Sequence, residues 1–272
     1  MKLNDSSNVI YFDNIPISRD EVMAFNAPPK MKYDTKKIVK IDGKYYYPKL
    51  CTYTTLINEL IGTYYCKMIG LDVVDYKIGI SRELPEYVYA LSEVFYQDGY
   101  SYFIVDEYYG AKPDDTKVYS TGLDKFHICE TSVLDMEHSK SLIDSVMKMT
   151  AVDLKMGQID RHNYNILLRC ANDIVEMEKL YDFGCAYEEG PDPEYYCYDN
   201  PFLIVRKNAI SLWSLVKRYP QISESAAILS DAPLYDVLKD IEKRFNIQIE
   251  DRDITEHLKK DKRFSRTLRK IR

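Results

Sequence analysis

An α+β chain of two lobes is what the sequence predicts: a mainly β N-terminal half carrying one helix, then a mainly helical half, with the change near residue 109. Three observations predict it. Strand-like runs punctuated by Asp42-Gly43 and Asp98-Gly99 fill residues 36–108, apolar residues at three-and-four spacing dominate afterwards, and no internal repeat or Gly/Ser linker marks off further units. At 272 residues, 46% hydrophobic and 29% charged, the chain can bury a sizeable core and is too apolar to be disordered.

The elements follow in order. Lys36–Ile41, then Asp42-Gly43, then Lys44–Leu50 is a hairpin signal, because Asp-Gly readily supplies the positive φ angles of a tight turn. Pro48 lacks an N–H, which places this strand along an edge or at a bulge. From Thr54 to Gly70 the residues Leu56, Ile57, Leu60, Ile61, Tyr64 and Met68 recur at helical spacing, with a threonine as N-cap and Gly70 at the stop. Strands are expected at 87–95 and 100–109, joined by Gln97-Asp98-Gly99. Beyond Gly110 come a loop at 112–115 and a helix at 138–156 with Ile143, Met147, Ala151 and Leu154 on one face. A short hairpin occupies 157–187. A Pro-rich loop at 190–193 then leads to helices near 207–218, 233–245 and 253–270. The lobes are thus 1–108 and 109–272.

Composition excludes several classes. No run approaches ~20 apolar residues, so no membrane span is expected, and Met1–Asn8 has no apolar stretch of the secretory kind. The six cysteines are scattered with no C-x-x-C pair, which fits reduced thiols in a cytoplasmic protein and not a zinc site. Net charge is −6, but Lys259–Arg272 holds a local +7, leaving −13 on residues 1–258. An acidic body argues against direct nucleic-acid binding. The basic tail could bind an anionic partner, but Phe264, Leu268 and Ile271 recur in it at helical spacing, which favours a terminal amphipathic helix with a solvated basic face. The 25 tyrosines are taken as compositional bias. Neither H-E-x-x-H, G-x-S-x-G nor G-x-x-x-x-G-K occurs, so a zinc protease, an α/β-hydrolase and a P-loop NTPase all lack their signatures.

The chemistry-bearing stretch is Asp160-Arg161-His162-Asn163-Tyr164-Asn165-Ile166, followed by Asp182-Phe183-Gly184. If Ile166–Leu168 and Leu180–Tyr181 pair as a hairpin, Asp160, Asn165 and Asp182 come to one edge. Such hard oxygen groups suit Mg²⁺, and one carboxylate can stay off the metal and take a proton. Phosphoryl transfer needs this set: an Asp to orient the attacking hydroxyl, an Asn and an Asp to hold metal between phosphates, and a lysine to neutralise them.

Asp160–Ile166 resembles the D-R-H-x-x-N-I loop of phosphoinositide kinases and the D-x-H-x-x-N loop of HipA-like kinases, and Asp182-Phe183-Gly184 resembles the metal-binding motif of protein-kinase-like folds. The chain is more similar to the HipA-like group through Asn26–Lys30 (a phosphate-loop segment), Lys44–Lys49 (a lysine-bearing strand) and Asn58-Glu59-Leu60-Ile61 running into Met68-Ile69-Gly70-Leu71. The resemblance spans about 26–187. It implies a two-lobed protein-kinase-like fold, with an antiparallel β lobe and one helix ahead of a helical lobe. It also implies an ATP- and Mg²⁺-dependent phosphotransferase acting on a protein Ser/Thr hydroxyl. Asp160 would be the catalytic aspartate, with His162 beside the transferred group and Asn165 and Asp182 as magnesium ligands. Lys49 would neutralise the phosphates with Glu59 as its partner (Lys40 is the rival lysine), and the backbone of Val105, Asp106 and Glu107 would read the adenine edge. An antitoxin-like partner protein is a family association. The chain departs from the pattern in lacking the glycine and serine of the phosphate loop before Lys30, and in carrying Asp-Phe-Gly where Asp-x-x-x is commoner. A lipid or small-molecule kinase, or a pseudokinase serving as a nucleotide-gated binding module, are the alternative expectations.

Overall fold

A computed structural model describes residues 2–3, 8–18, 21, 38–104, 140–158, 161, 165–171, 174–187 and 219–271. The segments at 26–30, 105–107, 190–198 and 207–218, together with Asp160 and His162, lie outside the described residues.

Two short strands precede the expected β region, β1 (Lys2–Leu3) and β2 (Val9–Phe12). The hairpin forms as anticipated between β3 (Val39–Ile41) and β4 (Lys44–Cys51). Asp42 and Gly43 both take positive φ, 49° and 80°, the mirror-image turn whose twist matches paired strands. β3 covers β4 only from Lys44 to Tyr46, so Pro48 falls where β4 has outrun that neighbour. Its missing N–H is therefore tolerated there, while the other side of β4 stays paired, Pro48 opposite Leu91.

Next comes α1 (Tyr53–Met68), which starts one residue and ends two residues before the limits its periodicity suggested. Thr52 is the N-cap, its Oγ1 accepting from the Thr55 N–H at 3.1 Å. At the other end Gly70 adopts φ 65°, and the N–H groups of Gly70 and Leu71 donate back to the carbonyls of Lys67 and Cys66, a Schellman stop. Every residue from Leu56 to Thr63 is buried, so α1 is a core helix. Then β5 (Lys77–Ser81) and β6 (Val88–Glu93) complete a five-stranded sheet of order β2-β5-β6-β4-β3. β2 lies parallel to β5, a long-range pairing that no local turn signal announces.

Two strand expectations are corrected. β7 (Ser101–Ile104) does not continue the first sheet; it pairs with β8 (Leu167–Ala171) in a second, three-stranded one. β8 pairs in turn with β9 (Ile174–Met177), so the hairpin partner of residues 166–168 is not 180–181. Leu180 instead bridges Val73 in parallel, its N–H donating to Asp72 O at 3.0 Å while its carbonyl accepts from the Val74 N–H at 2.9 Å. The chain leading to Asp182 is thereby stitched to the link between α1 and β5.

The helical part holds α2 (Lys140–Met156), α3 (Pro220–Ser230), α4 (Leu234–Phe245) and α5 (Asp251–Ile271). α3 was not expected; it starts with proline in its first turn, a tolerated position because that N–H has no helical partner anyway. β10 (Ile247–Gln248), ahead of α5, pairs with β1. α2 is not one-faced: from Met149 to Met156 every residue is buried. That run includes two charges, which burial tolerates only when paired. Asp153 meets Arg161 (3.0 Å), and Lys155 meets Asp261 (2.8 Å) and donates to Ser265 Oγ (2.9 Å). Among the described residues no helix is long and apolar enough to cross a membrane.

Gly62, in the middle of α1, is where the ring of Phe183 docks. A Cβ built there would sit 2.2 Å from Phe183 Cγ. Gly62→Ala should therefore lose stability despite alanine's better helix propensity, by about 1–3 kcal/mol as overpacking costs do. A denaturant titration of the variant against the parent checks this; an unchanged or raised midpoint would refute the packing argument.

Candidate active site

Lys49 stands on β4 opposite Ala90, and Glu59 stands on the second turn of α1. The Lys49 Nζ lies 2.5 Å from Glu59 Oε1 and 2.5 Å from Asp182 Oδ1. One ammonium thus bridges the first sheet, the core helix and the segment after β9. Lys40 is directed elsewhere, its Nζ over the Tyr45 ring at 5.1 Å. Glu59 is fully buried and its second oxygen, Oε2, accepts from the Phe183 N–H at 2.8 Å. Gly184 sits against this pair: a Cβ there would fall 2.9 Å from Thr55 Cγ2 and 3.0 Å from Lys49 Nζ. The third letter of the Asp-Phe-Gly motif is accordingly a matter of space.

Electrostatics follow from burial. Desolvation alone would lower the Lys49 pKa, but Glu59 and Asp182 more than reverse it and hold the ammonium above the ordinary lysine range. Burial pushes Glu59 above the ordinary carboxylate range, with Lys49 and the Phe183 N–H pulling back. Cys51 is pushed up to about 11, chiefly by burial, so it stays a thiol and is no nucleophile.

Asp182 has a left-handed backbone, φ 65°, a conformation that costs a non-glycine residue on the order of 1 kcal/mol or more. Both of its peptide groups are held. Its N–H donates to Tyr76 Oη at 3.3 Å, and its carbonyl accepts from Gln158 Nε2 at 2.6 Å. Arg161 performs the matching task for Asn165. Its guanidinium is buried, bonds Asp153 through Nε and Nη2, and donates through Nη1 to the carbonyls of Tyr181 (2.6 Å) and Asn165 (3.3 Å). The same guanidinium lies 4.9 Å from the centroid of the Phe183 ring. Asn165 and the residue preceding Asp182 are therefore gripped by one side chain. The structure brings Lys49, Glu59 and Asp182 into contact and ties Asn165 to them through Arg161. Asp160, His162 and the 105–107 backbone lie outside the described residues.

Beside Lys49 and Asp182 opens a cleft of about 300 Å³ whose walls include Tyr47, Pro48, Phe95, Tyr96 and Tyr181. Tyr47 and Tyr96 meet edge to face, with their hydroxyls 3.4 Å apart. An apolar, aromatic-walled slot with a charged group of each sign suits a flat ring joined to an anionic tail. A carboxylate and a carboxamide are also hard donors of the kind Mg²⁺ accepts alongside phosphate oxygens and water. Sequence reasoning missed Tyr76, Gln158 and these wall tyrosines. The one available signal was the excess of tyrosine, whose use here is local.

Because Glu59 is buried, its cation matters more to the fold than a surface partner would. Lys49→Met should cost about 3–5 kcal/mol, the usual result of stranding a buried charge. Lys49→Met/Glu59→Gln should recover part of that loss. Stranded Glu59 binds a proton more readily in the folded than in the unfolded chain, so the single variant's deficit should shrink as pH falls. Denaturant melts of the three proteins at two pH values test it; additive losses independent of pH would show that the ion pair is not coupled.

No family model matches the chain, and no curated protein matches it by sequence. Solved structures do. A Helicobacter pylori proinflammatory kinase, CtkA, superposes with a TM-score of 0.57 at 14% identity, covering 95% of this chain and 94% of that one. HipA, from the Shewanella oneidensis MR-1 toxin–antitoxin complex with HipB and operator DNA, gives a TM-score of 0.56 at 13% identity, covering 94% of this chain and 71% of that one. At such identity the likeness speaks for architecture, and over nearly the whole of its length this chain has the HipA-like kinase fold.

Proposed function

We propose that the protein is an ATP- and Mg²⁺-dependent phosphotransferase that moves the γ-phosphoryl group to a Ser/Thr hydroxyl of a protein. The observation that carries this reading is Lys49 held by Glu59 and Asp182 in the wall of an aromatic-lined cleft, in a fold shared with the kinase CtkA and with HipA. A nucleotide base would lie in the cleft against its aromatic walls, and the Lys49 ammonium would meet the phosphates. Magnesium, when bound through Asn165 and Asp182, would neutralise charge on the phosphate oxygens. Asp160 would orient the acceptor hydroxyl and take its proton as the oxygen attacks the γ-phosphorus and ADP departs, with His162 donating a hydrogen bond beside it. Val105, Asp106 and Glu107 would meet the adenine edge through their backbone. Catalysis of this kind is positioning plus electrostatics, and the grip of Arg161, Tyr76 and Gln158 on the loop backbones serves that end. A cytoplasmic setting and a protein partner, as HipA has in HipB, belong to the same proposal.

Incubation with γ-labelled ATP, Mg²⁺ and a protein extract is the test. Asp160→Asn and Asp182→Asn should each reduce phosphate incorporation by about 10²–10⁴-fold with the fold retained by circular dichroism. Undiminished transfer in Asp160→Asn would overturn its assigned role. A parent protein that binds the nucleotide and transfers nothing to protein or lipid would be a pseudokinase.

A further inference from the structure

Asn58 precedes Glu59 on α1 and is buried. Its Nδ2 donates to the carbonyls of Gly184 (3.0 Å) and Ala186 (2.7 Å), in the turn that follows Asp182. Both amide hydrogens are thereby used. Flipping the amide would aim Oδ1 at two carbonyl oxygens, so its orientation is set by chemistry. Oδ1 can only accept, and the group it faces is His257 Nε2, 2.9 Å away on α5. The other ring nitrogen, Nδ1, lies 2.7 Å from the Asp253 carbonyl, which also can only accept.

A neutral imidazole has one N–H and one lone pair. With an acceptor at each nitrogen, only the doubly protonated ring completes both contacts. The neutral ring leaves a lone pair against an oxygen. We propose that His257 is a positioning residue that works as an imidazolium: through Asn58 it holds the Gly184–Ala186 turn behind Asp182, and loss of its second proton loosens that turn. The importance of the turn rests on the reading of Asp182 given above; the contact itself does not.

The surroundings set the direction of the titration. On its own helix Asp253 and Glu256 favour the charge and Lys260 opposes it. α1 presents the uncharged Asn58, and the segment after Asp182 presents Tyr187, edge-on at 5.5 Å and kept a neutral phenol by burial. Burial is the largest influence on His257 and, with Lys260, lowers its pKa below the ordinary histidine value against the Asp253 contact. The ring therefore charges on the acid side of that value. Global stability falls as it does so, because a folded-state pKa below the unfolded one means that protonation favours unfolding. The local clamp tightens over the same range, so the two effects have opposite sign and can be separated.

The test uses the full chain, His257→Gln and His257→Leu, with no nucleotide added. Glutamine can donate to Asn58 at any pH; leucine cannot donate at all. Nitrogen-15 resonances of the His257 ring, followed downward in pH, should show one N–H group at neutral pH and both once the ring has charged on the acid side of the ordinary histidine range. Amide exchange at 184–187, taken relative to His257→Gln at each pH, should slow by about 2- to 10-fold on acidification, the worth of one hydrogen bond. His257→Leu should exchange fast at both. A ring with a single N–H throughout overturns the proposal, as does wild-type exchange that tracks His257→Gln at both pH values. If His257→Leu does not fold, the ring resonances and the glutamine comparison decide alone. A failure of phosphate transfer with these readouts as expected would count against the proposed function and leave the His257 contact standing.

Discussion

The Lys49 ammonium, held between Glu59 and Asp182, is the interaction on which the rest depends. Three pieces of chain meet at that one charge: the neighbouring β4 and α1, and the segment following β9, 133 residues beyond Lys49. Each is brought there by a different force. β4 arrives by a turn whose two residues tolerate positive φ, α1 by a cap at each end and burial nearly all round, and the last segment by main-chain bonds to residues 72 and 74. Burying Glu59 is unfavourable unless a cation accompanies it. The fold thus requires the same ion pair that would serve phosphate chemistry.

Much of this could be read from residue order because the governing signals are local. Asp42-Gly43 marks its own turn, and the span expected from Thr54 to Gly70 gives the limits of α1 to within two residues. The spacing of Lys49 and Glu59 matched a resemblance, and the structure places them in contact. What escaped was set by distant partners. Val9–Phe12 is a strand because it lies beside β5, some 70 residues on, and nothing in four apolar residues names that neighbour. The hairpin after Asn165 was paired with the wrong strand because Leu180–Tyr181 reads as β by composition, while its backbone groups are taken by the α1–β5 link. Tyr76 and Gln158 were invisible for a related reason: each acts on the backbone of Asp182, and a side chain that serves another residue's peptide group leaves no motif.

The helical part shows how charge can be built into a core without loss of order. Asp153 and Lys155 on α2 are both buried, and each is matched by a group from another element: Arg161 in one case, Asp261 and Ser265 of α5 in the other. Burial raises the Asp153 pKa and Arg161 opposes that rise. Such pairs add little net stability compared with apolar residues of similar size, but they define geometry closely. Here the geometry defined is that of Arg161, whose remaining donors grip the main chain at 165 and 181. Rigidity in the helical part is passed on through Arg161 to the main chain at 165 and 181.

The seat of Phe183 on α1 has a mechanical consequence. A benzyl group lies where the helix has no side chain of its own, flanked on its other side by a guanidinium plane. Were the ring to swing out, it would leave behind a hollow of its own shape in a helix that cannot refill it, at a cost of about 3–5 kcal/mol by analogy with deleting a buried phenylalanine. An empty molecule would thus spend nearly all its time with this latch shut, and an arriving ligand would find the carboxylate one residue upstream already in place.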